Sequence, residues 1–125
     1  MDRLDGVHPV LRAKIEMIMV AMRAIGHPVV PVQGVRTAEY QHALWQQGRE
    51  TPGEIVTEKD GYKAKSNHQV KDDGFGHAVD CCFEGPKPWG EHQPWDAYGA
   101  LGEALGLAWG GRWKRPHDRP HLELR

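Results

Sequence analysis

The sequence predicts one α+β domain in which about three helices pack on a small antiparallel sheet. The chain has 125 residues, which is the length of a single domain. Apolar residues recur at helical spacing in three segments, and short β-prone runs separate them. The resulting order is helix, strand, helix, long loop, strand, helix, strand, strand, which suits an α+β fold. No repeat or linker divides residues 1–125, so we expect a single domain with no separate second unit.

The first helix is expected from about Pro9 to Ile25, with Pro9 in its first turn. Its apolar residues recur as a buried helix face requires, at Leu11, Ile15, Ile18, Met22 and Ile25. Gly26 can end the helix. The run from Val29 to Val35 then predicts a short strand. Pro31 favours an edge position for this strand, because proline cannot donate a hydrogen bond to a neighbouring strand.

The remaining elements follow from the same patterns. Thr37 is a candidate N-cap for a second helix, which continues from Tyr40 to Gln47. Residues 49–76 are polar and rich in glycine, lysine and aspartate, and they predict a long loop of the kind that carries function. The other expected elements are a central strand from His77 to Phe83, a helix from Trp95 to Leu105, and short strands at Leu107–Trp109 and His121–Leu124.

Composition and charge exclude several classes of function. The formal net charge of −1 and the pI near 6.7 provide no broad attraction to nucleic acid. The apolar stretch from Ile15 to Ile25 is too short to span a membrane, and the first residues lack the apolar region of a signal peptide. The adjacent Cys81 and Cys82 cannot easily form a disulfide and suggest a buried pair on a strand. We therefore expect a soluble cytoplasmic monomer with neither nucleic acid nor membrane as partner.

Asp80 is the most diagnostic single residue. It lies inside the apolar run from Ala78 to Phe83, where burying a carboxylate is costly unless the group is paired or binds a metal. Backbone N–H groups or an arginine could also satisfy it, so Asp80 alone leaves both interpretations open.

Two histidines complete a possible metal site. His68 lies near the end of the long loop, and His121 opens the last strand. Each alone is equally compatible with a surface histidine or an edge histidine. Two imidazoles and a carboxylate together form the three-ligand set of a catalytic zinc site with an open fourth position. His68, Asp80 and His121 are therefore the predicted ligands, and Zn²⁺ is the predicted cofactor.

Asp118 is the candidate general base. It lies three residues before His121, and a turn through Pro120 could bring both side chains to one metal. The alternatives for Asp118 are a turn-forming role or an ion pair with Arg119.

Three further polar residues lie near these motifs. Glu123 follows His121 on the same face of the strand and could orient a histidine or face the solvent. His77 and His117 resemble the candidate ligands in type, but we do not assign them to the site. Strand alternation should point His77 to the sheet face opposite Asp80.

The spaced motifs resemble a known family. The pattern Ser-x-His at residues 66–68, Gly-x-Ala-x-Asp at 76–80 and Asp-x-x-His at 118–121 resembles the zinc peptidases of the D-alanyl-D-alanine carboxypeptidase / L-alanyl-D-glutamate endopeptidase group. This group includes VanY-like carboxypeptidases and many phage endolysins. The segments Gly-x-Arg-Thr-x-x-x-Gln at 34–41 and Trp-Gly-Gly-x-Trp-Lys at 109–114 extend the resemblance over nearly the whole chain.

The resemblance implies a hedgehog/DD-peptidase-like fold around a single zinc site. It implies that His68, Asp80 and His121 bind Zn²⁺ and that Asp118 is the catalytic base. Arg36 would bind a substrate carboxylate or polarise the scissile carbonyl, for which a guanidinium fork is well suited. The alternative for Arg36 is a surface ion pair with Glu39. Ser66 and Gln41 would support the site.

Two departures from the family pattern stand out. The family usually has two residues between its first histidine and the following glycine motif, whereas seven intervene here, residues 69–75. The Lys71–Gly74 part of this insert is expected first as a surface loop, although a lid, a rim of the site or a second cation site remains open. Arg112 occupies a turn position where relatives commonly have an acidic residue, which leaves substrate preference open.

The resemblance therefore implies a zinc peptidase that cleaves peptidoglycan stem peptides at the L-Ala–D-Glu bond. A D-Ala–D-Ala carboxypeptidase or dipeptidase remains open, as does a non-catalytic module that binds wall peptides. Because no signal peptide is present, we expect a phage or prophage endolysin. It would stay in the host cytoplasm until a pore releases it to the peptidoglycan.

Overall fold

The computed structural model describes residues 2–114 and 117–125 and has the predicted α+β architecture. Its helices are α1 (Pro9–Ala24), α2 (Ala38–Gln46) and α3 (Trp95–Ala104). Its strands are β1 (Val29–Gln33), β2 (Ala78–Phe83), β3 (Ala108–Trp109) and β4 (His121–Glu123). Where a turn was expected after β3, the chain forms a short 3₁₀ helix over Gly110–Arg112. No helix within the described ranges is long and apolar enough to cross a membrane.

The four strands form one antiparallel sheet in the order β1-β2-β4-β3. β1 lies at an edge, which confirms the expectation from Pro31, and its pairing with β2 is irregular between Pro31 and Gln33. β4 lies between β2 and β3, so His121 is on an interior strand rather than an edge. The register places His121 directly opposite Asp80 of β2.

The two faces of the sheet have different roles. Val79, Cys81 and Phe83 of β2 and Leu122 of β4 face the hydrophobic core. Asp80 on β2 alternates with these residues, as do His121 and Glu123 on β4. All three therefore face the other side of the sheet. Helices α1 and α3 pack together over the core face, and α3 also contacts β3. The second face of the sheet is thus the one that carries the candidate site.

Helix α1 forms as its apolar spacing predicts. Leu11, Ile15, Ile18 and Met22 are buried, and the Nδ1 atom of His8 accepts the N–H of Val10 at the first turn. The prediction was wrong at one position. Ile25 is the C-cap of the helix and is 56% exposed, because Gly26 turns the chain there with a φ of +87°.

The segment before β4 is anchored to the core side of the molecule. The hydroxyl of Tyr98 in α3 donates to the carbonyl of Pro120 at 2.8 Å. The indole Nε1 of Trp109 in β3 donates to the carbonyl of Arg119, also at 2.8 Å. These two bonds fix the backbone immediately before His121, so packing of α3 and β3 determines where β4 begins.

Helix α2 and the long loop cover the site face. The Thr37 hydroxyl accepts the N–H of Tyr40, which confirms the predicted N-cap. Residues 49–76 contain no helix or strand among those the structure describes. The loop is held instead by side chains, because the Asp60 carboxylate accepts three backbone N–H groups and the buried Gln69 bonds Gly61 and Ser66.

The insert is an exposed turn, as its composition predicts. The N–H of Lys71 donates to the carbonyl of Phe75, and the N–H of Gly74 donates to the carbonyl of Lys71. The Asp73 carboxylate accepts the N–H of Phe75 at 3.0 Å and lies 2.6 Å from Nε2 of His77. The insert is therefore held by its own hydrogen bonds and by the contact between Asp73 and His77.

The two cysteines are both buried and unpaired, as expected for neighbours on one strand. Burial raises the pKa of Cys81 to about 12, so its thiol stays protonated and inert.

Candidate metal centre

The three predicted ligands converge on the site face of the sheet. Oδ1 of Asp80 lies 3.4 Å from Nε2 of His68 and 3.3 Å from Nδ1 of His121. One ligand atom from each residue lies within 4.8 Å of the others. Both histidines are buried and Asp80 is nearly so, since its side chain is 13% exposed. Residues far apart in the chain thus bring three donors to one point.

The donor atoms have the properties of ligands to a metal ion. Nδ1 of His68 is 2.8 Å from the carbonyl of Gly34 and must carry the proton, because a carbonyl only accepts. That leaves the lone pair of His68 Nε2 directed at the site. Nε2 of His68 and Oδ1 of Asp80 are buried and lack a hydrogen-bond partner among the described residues. A bound cation would satisfy both atoms, and two imidazoles with one carboxylate suit Zn²⁺.

Arg36 holds the ligating carboxylate in place. Its Nη2 donates to Oδ2 of Asp80 at 3.1 Å, so Oδ1 is left to face the two histidines. Its Nη1 donates to Oε1 of Gln41 at 3.1 Å. Gln41 is itself buried, and its amide donates to the carbonyl of Lys59. Arg36 therefore pairs with Asp80 rather than with Glu39, and Gln41 supports it.

Glu123 orients His121 and does not face the solvent. It is 2% exposed, and its Oε1 lies 2.7 Å from Nε2 of His121. Its Oε2 accepts hydrogen bonds from Asn67 and Arg125, each at 2.6 Å. Because Nε2 of His121 donates to this carboxylate, Nδ1 is free to bind a metal. Neither Asn67 nor Arg125 was identified from the sequence, since only the folded strand brings them to Glu123.

Asp118 lies beside the ligand cluster. Its Oδ2 is 3.7 Å from Nδ1 of His121, and its side chain is 38% exposed. The N–H of Asp118 donates to the carbonyl of Gly110. A Cβ added at Gly110 would come within 2.2 Å of the Asp118 carbonyl, so this approach requires glycine. Arg119, the proposed alternative partner, instead donates its Nε to Nε2 of His117.

The two aspartates of the site have opposite protonation tendencies. Burial would raise the pKa of Asp80, but the adjacent imidazoles of His121 and His68 outweigh it and hold the pKa well below its ordinary value. Burial raises the pKa of Asp118, and the charge on Asp80 raises it further. One carboxylate is thus fixed as an anion, while the other is poised to exchange a proton.

A large open cleft leads to this cluster, with a volume of about 1070 Å³. Its walls include apolar residues, among them Ile55, Val56, Trp89 and Trp113. Its basic residues are Arg36, Lys59, Lys65 and Arg125. No residue of the 69–75 insert lines the cleft, so nothing in this geometry makes the insert a lid. His117 lines the cleft but is bonded to Arg119 rather than to the ligand cluster.

Comparison with known proteins places the chain in a family. Residues 60–124 match the M15 peptidase family described as D-alanyl-D-alanine carboxypeptidase. The chain is 30% identical to the peptidoglycan L-alanyl-D-glutamate endopeptidase CwlK of Bacillus subtilis (strain 168) in an alignment of 131 positions. The alignment covers 96% of this chain and 74% of that protein.

Two solved structures share the fold. The L-Ala D-Glu endopeptidase ChiX of Serratia marcescens has a TM-score of 0.64 and 26% identity, covering 98% of this chain and 84% of that one. The vancomycin resistance D,D-pentapeptidase VanY, in complex with Zn(II), has a TM-score of 0.68 and 16% identity. The match covers 98% of this chain and 76% of that one.

The chain therefore belongs to the M15 family of metallopeptidases, and it is a peptidoglycan-hydrolysing peptidase. Peptidases of this family depend on zinc, and the donor set of His68, Asp80 and His121 fits that ion. The expected cofactor and enzyme class are thereby confirmed.

The stability of the metal-free protein should depend on pH in a definite way. Burial would lower the pKa of His121, but the adjacent carboxylates of Asp80 and Glu123 outweigh it and raise the pKa to about 9. Burial would raise the pKa of Glu123, but hydrogen bonds from His121 and Arg125 lower it to about 2. The His121 contribution is complete below its ordinary pKa of 6.5 and is lost as the pH rises through about 9. The Glu123 contribution is complete above its ordinary pKa of 4.5 and is lost as the pH falls through about 2.

This cluster should therefore stabilise the metal-free protein most between about pH 4.5 and 6.5. Zinc requires neutral His121, so the increase in Tm caused by zinc should grow as the pH rises toward 9. Thermal unfolding of chelator-treated and zinc-loaded protein across this range measures both effects. An increase in Tm that is constant or shrinks with rising pH would contradict this assignment of the His121 proton.

Removing the charge of Glu123 should weaken zinc binding. In Glu123→Gln the side chain keeps its shape but no longer holds His121 by a charged hydrogen bond, so zinc affinity should fall roughly 10- to 100-fold. Competition with a chromogenic chelator measures the change. Glu103→Gln is the matched control, because that carboxylate pairs with Arg112 at the surface, and its zinc affinity should equal the wild type. Unchanged affinity in Glu123→Gln would rule out the orienting role.

Proposed function

We propose that this protein is an endopeptidase that hydrolyses the L-Ala–D-Glu bond of peptidoglycan stem peptides. The observation that carries the proposal is a two-histidine, one-aspartate metal site with a second, protonatable aspartate beside it, inside a cleft with room for a peptide. The bond is inferred from CwlK and ChiX, whose names state this specificity.

The chemistry divides between the metal and the chain. When bound, Zn²⁺ supplies Lewis-acid polarisation of a carbonyl and lowers the pKa of water. Asp118, with its raised pKa, takes a proton from the attacking water and delivers it to the nitrogen of the departing amine. Arg36 lines the cleft and is held by Asp80 and Gln41, so its guanidinium is a fixed positive charge for the substrate carbonyl or carboxylate.

The charges of the cleft support a stem peptide as substrate. D-Glu linked through its γ-carboxyl keeps a free α-carboxylate, and Lys59, Lys65 and Arg125 line the same cleft as the ligands. These cations would attract and orient an acidic peptide. The proposed partner is therefore the stem peptide, bound by a monomer, with no nucleic acid or membrane partner.

Replacement of Asp118 should separate catalysis from metal binding. Asp118→Asn keeps the shape of the side chain but cannot accept a proton, so hydrolysis of purified peptidoglycan should fall at least about 100-fold. Bound zinc should stay stoichiometric, because Asp118 is not a ligand. Asp72→Asn, in the exposed insert, is the matched control and should retain full activity. Unimpaired hydrolysis by Asp118→Asn would remove this residue from the mechanism.

The same digestion tests the bond and the enzyme class. Chelation should stop the wild-type reaction and Zn²⁺ should restore it, while mass spectrometry should find new D-Glu amino termini. Release of free D-Ala instead would establish a D-Ala–D-Ala carboxypeptidase, the alternative that the family description favours. Stoichiometric zinc without any hydrolysis would point to a non-catalytic module that binds wall peptides.

We propose further that the enzyme acts as a phage or prophage endolysin. The support is the resemblance of the motifs at residues 66–68, 76–80 and 118–121 to a group that includes many phage endolysins. Such an enzyme would stay in the host cytoplasm until a membrane pore opens. Bacteria that express the protein should keep growing until a pore-forming protein is induced, after which turbidity should drop. Asp118→Asn expressed with the same pore is the control and should not accelerate lysis. Lysis or export without a pore would contradict this localisation.

A further inference from the structure

Trp89 is unusual among the tryptophans of this chain. It is 52% exposed, whereas Trp95 and Trp109 are buried and the other two are half-buried. Its side chain lines the same cleft as the three metal ligands. Inside a cleft, an accessible indole offers a flat apolar face to a ligand, and aromatic side chains are common in the walls of ligand sites.

The backbone that presents Trp89 is held in place. The N–H of Phe83 at the end of β2 donates to the carbonyl of Pro88, and the N–H of Gly90 donates to the carbonyl of Lys87. The indole Nε1 of Trp95 donates to the carbonyl of Gly90 at 2.9 Å. These bonds fix the residues on both sides of Trp89, so its backbone does not need to be ordered when a ligand arrives.

The same segment contains a residue in an unfavourable conformation. Lys87 has a φ of +54° and is the one non-glycine residue with positive φ in the described part of the chain. Its carbonyl also accepts a hydrogen bond from the side chain of Gln93. Backbone strain of this kind persists where the surrounding structure enforces it, which is common at binding sites.

Strand β2 gives the cleft a direction. At the start of β2, the carbonyl of His77 accepts the N–H of Leu124, which places Arg125 near that end. At the other end, the N–H of Phe83 donates to the carbonyl of Pro88, which places Trp89 near that end of the strand. Asp80 lies between the two ends, three residues or roughly 10 Å before Phe83. Arg125 and Trp89 are therefore near opposite ends of β2, with Asp80 between them.

The substrate of the proposed function likewise has a charged side and an uncharged side. On one side of the L-Ala–D-Glu bond the stem peptide carries carboxylates. On the other side a single L-Ala and a lactyl group join it to an uncharged amino sugar of the glycan strand. One residue and its lactyl bridge span roughly 7 Å, so the sugar ring would lie within the roughly 10 Å that separate Asp80 from the Phe83 end of β2.

We propose that Trp89 forms a subsite for the N-acetylated sugar ring that carries the stem peptide, with the C–H face of the sugar packed on the indole. This inference rests on the proposed L-Ala–D-Glu specificity and deepens it. The carboxylates of the peptide then extend toward Arg125 and Lys65. The enzyme recognises the junction between glycan and peptide rather than a free peptide.

The test compares two substrates that differ only in the sugar. One is a disaccharide-linked stem peptide, and the other is the same peptide with its L-Ala nitrogen acetylated. Wild type should have the higher kcat/KM on the glycan-linked substrate. Trp89→Ala should reduce this preference about tenfold, the size of one aromatic contact, and Trp89→Phe should retain part of it. Tyr40→Ala removes an aromatic side chain that is 49% exposed and does not line the cleft, and its preference should equal the wild type.

A binding measurement tests the subsite without catalysis. Titration of zinc-loaded protein with the peptide-free disaccharide should shift the indole N–H resonance of Trp89, which is assigned by its absence in Trp89→Phe. An unshifted resonance, a wild type without preference, or an equal loss on both substrates in Trp89→Phe would overturn the proposal. If neither substrate is cleaved but the resonance shifts, the proposed bond specificity is refuted and the sugar subsite is supported.

Discussion

The carboxylate of Asp80, buried in the middle of a strand, is the constraint around which this site is arranged. An isolated charge at this position would be strongly unfavourable, so each of its oxygens has to be compensated. Arg36 compensates Oδ2 by a hydrogen bond, and Oδ1 lies between the two imidazoles of His68 and His121. Three features of the fold bring those partners to Asp80. They are the strand register for His121, the end of the long loop for His68 and the segment before α2 for Arg36.

Because side chains alternate along each strand, one face of the sheet packs in the core and the other carries the candidate site. One face of β2 and β4 contributes Val79, Cys81 and Leu122 to the core under α1 and α3. The other face carries Asp80 and His121 and is covered by loops, which leave a cleft. The two sides are coupled at one place. Tyr98 and Trp109, which pack in the core, hold the carbonyls of the turn that precedes His121. Packing defects there would therefore also displace Asp118 and His121.

The two ends of β2 contribute different groups to the cleft. Near the start of β2, Glu123 accepts hydrogen bonds from Asn67 and Arg125, and at the same time it sets the tautomer of His121. Near the other end, Trp89 adds an uncharged aromatic surface. With a sugar bound on Trp89 as proposed, a substrate with one acidic and one neutral side would fit in only one direction, which would select its orientation as well as its identity.

The sequence by itself determined the order of the elements and the three candidate metal ligands. Helical spacing located α1, Pro31 identified the edge strand, and the charged residue in an apolar run singled out Asp80. These features are local, because they depend on side-chain periodicity and on the cost of burying a charge. The tertiary structure decided the roles that depend on neighbours distant in the chain. It made His121 an interior residue, turned Arg36 toward Asp80 and gave Glu123 its partners Asn67 and Arg125. It also brought Trp89 into the wall of the cleft. Long-range contacts of this kind follow from strand order and loop closure, which no single segment encodes.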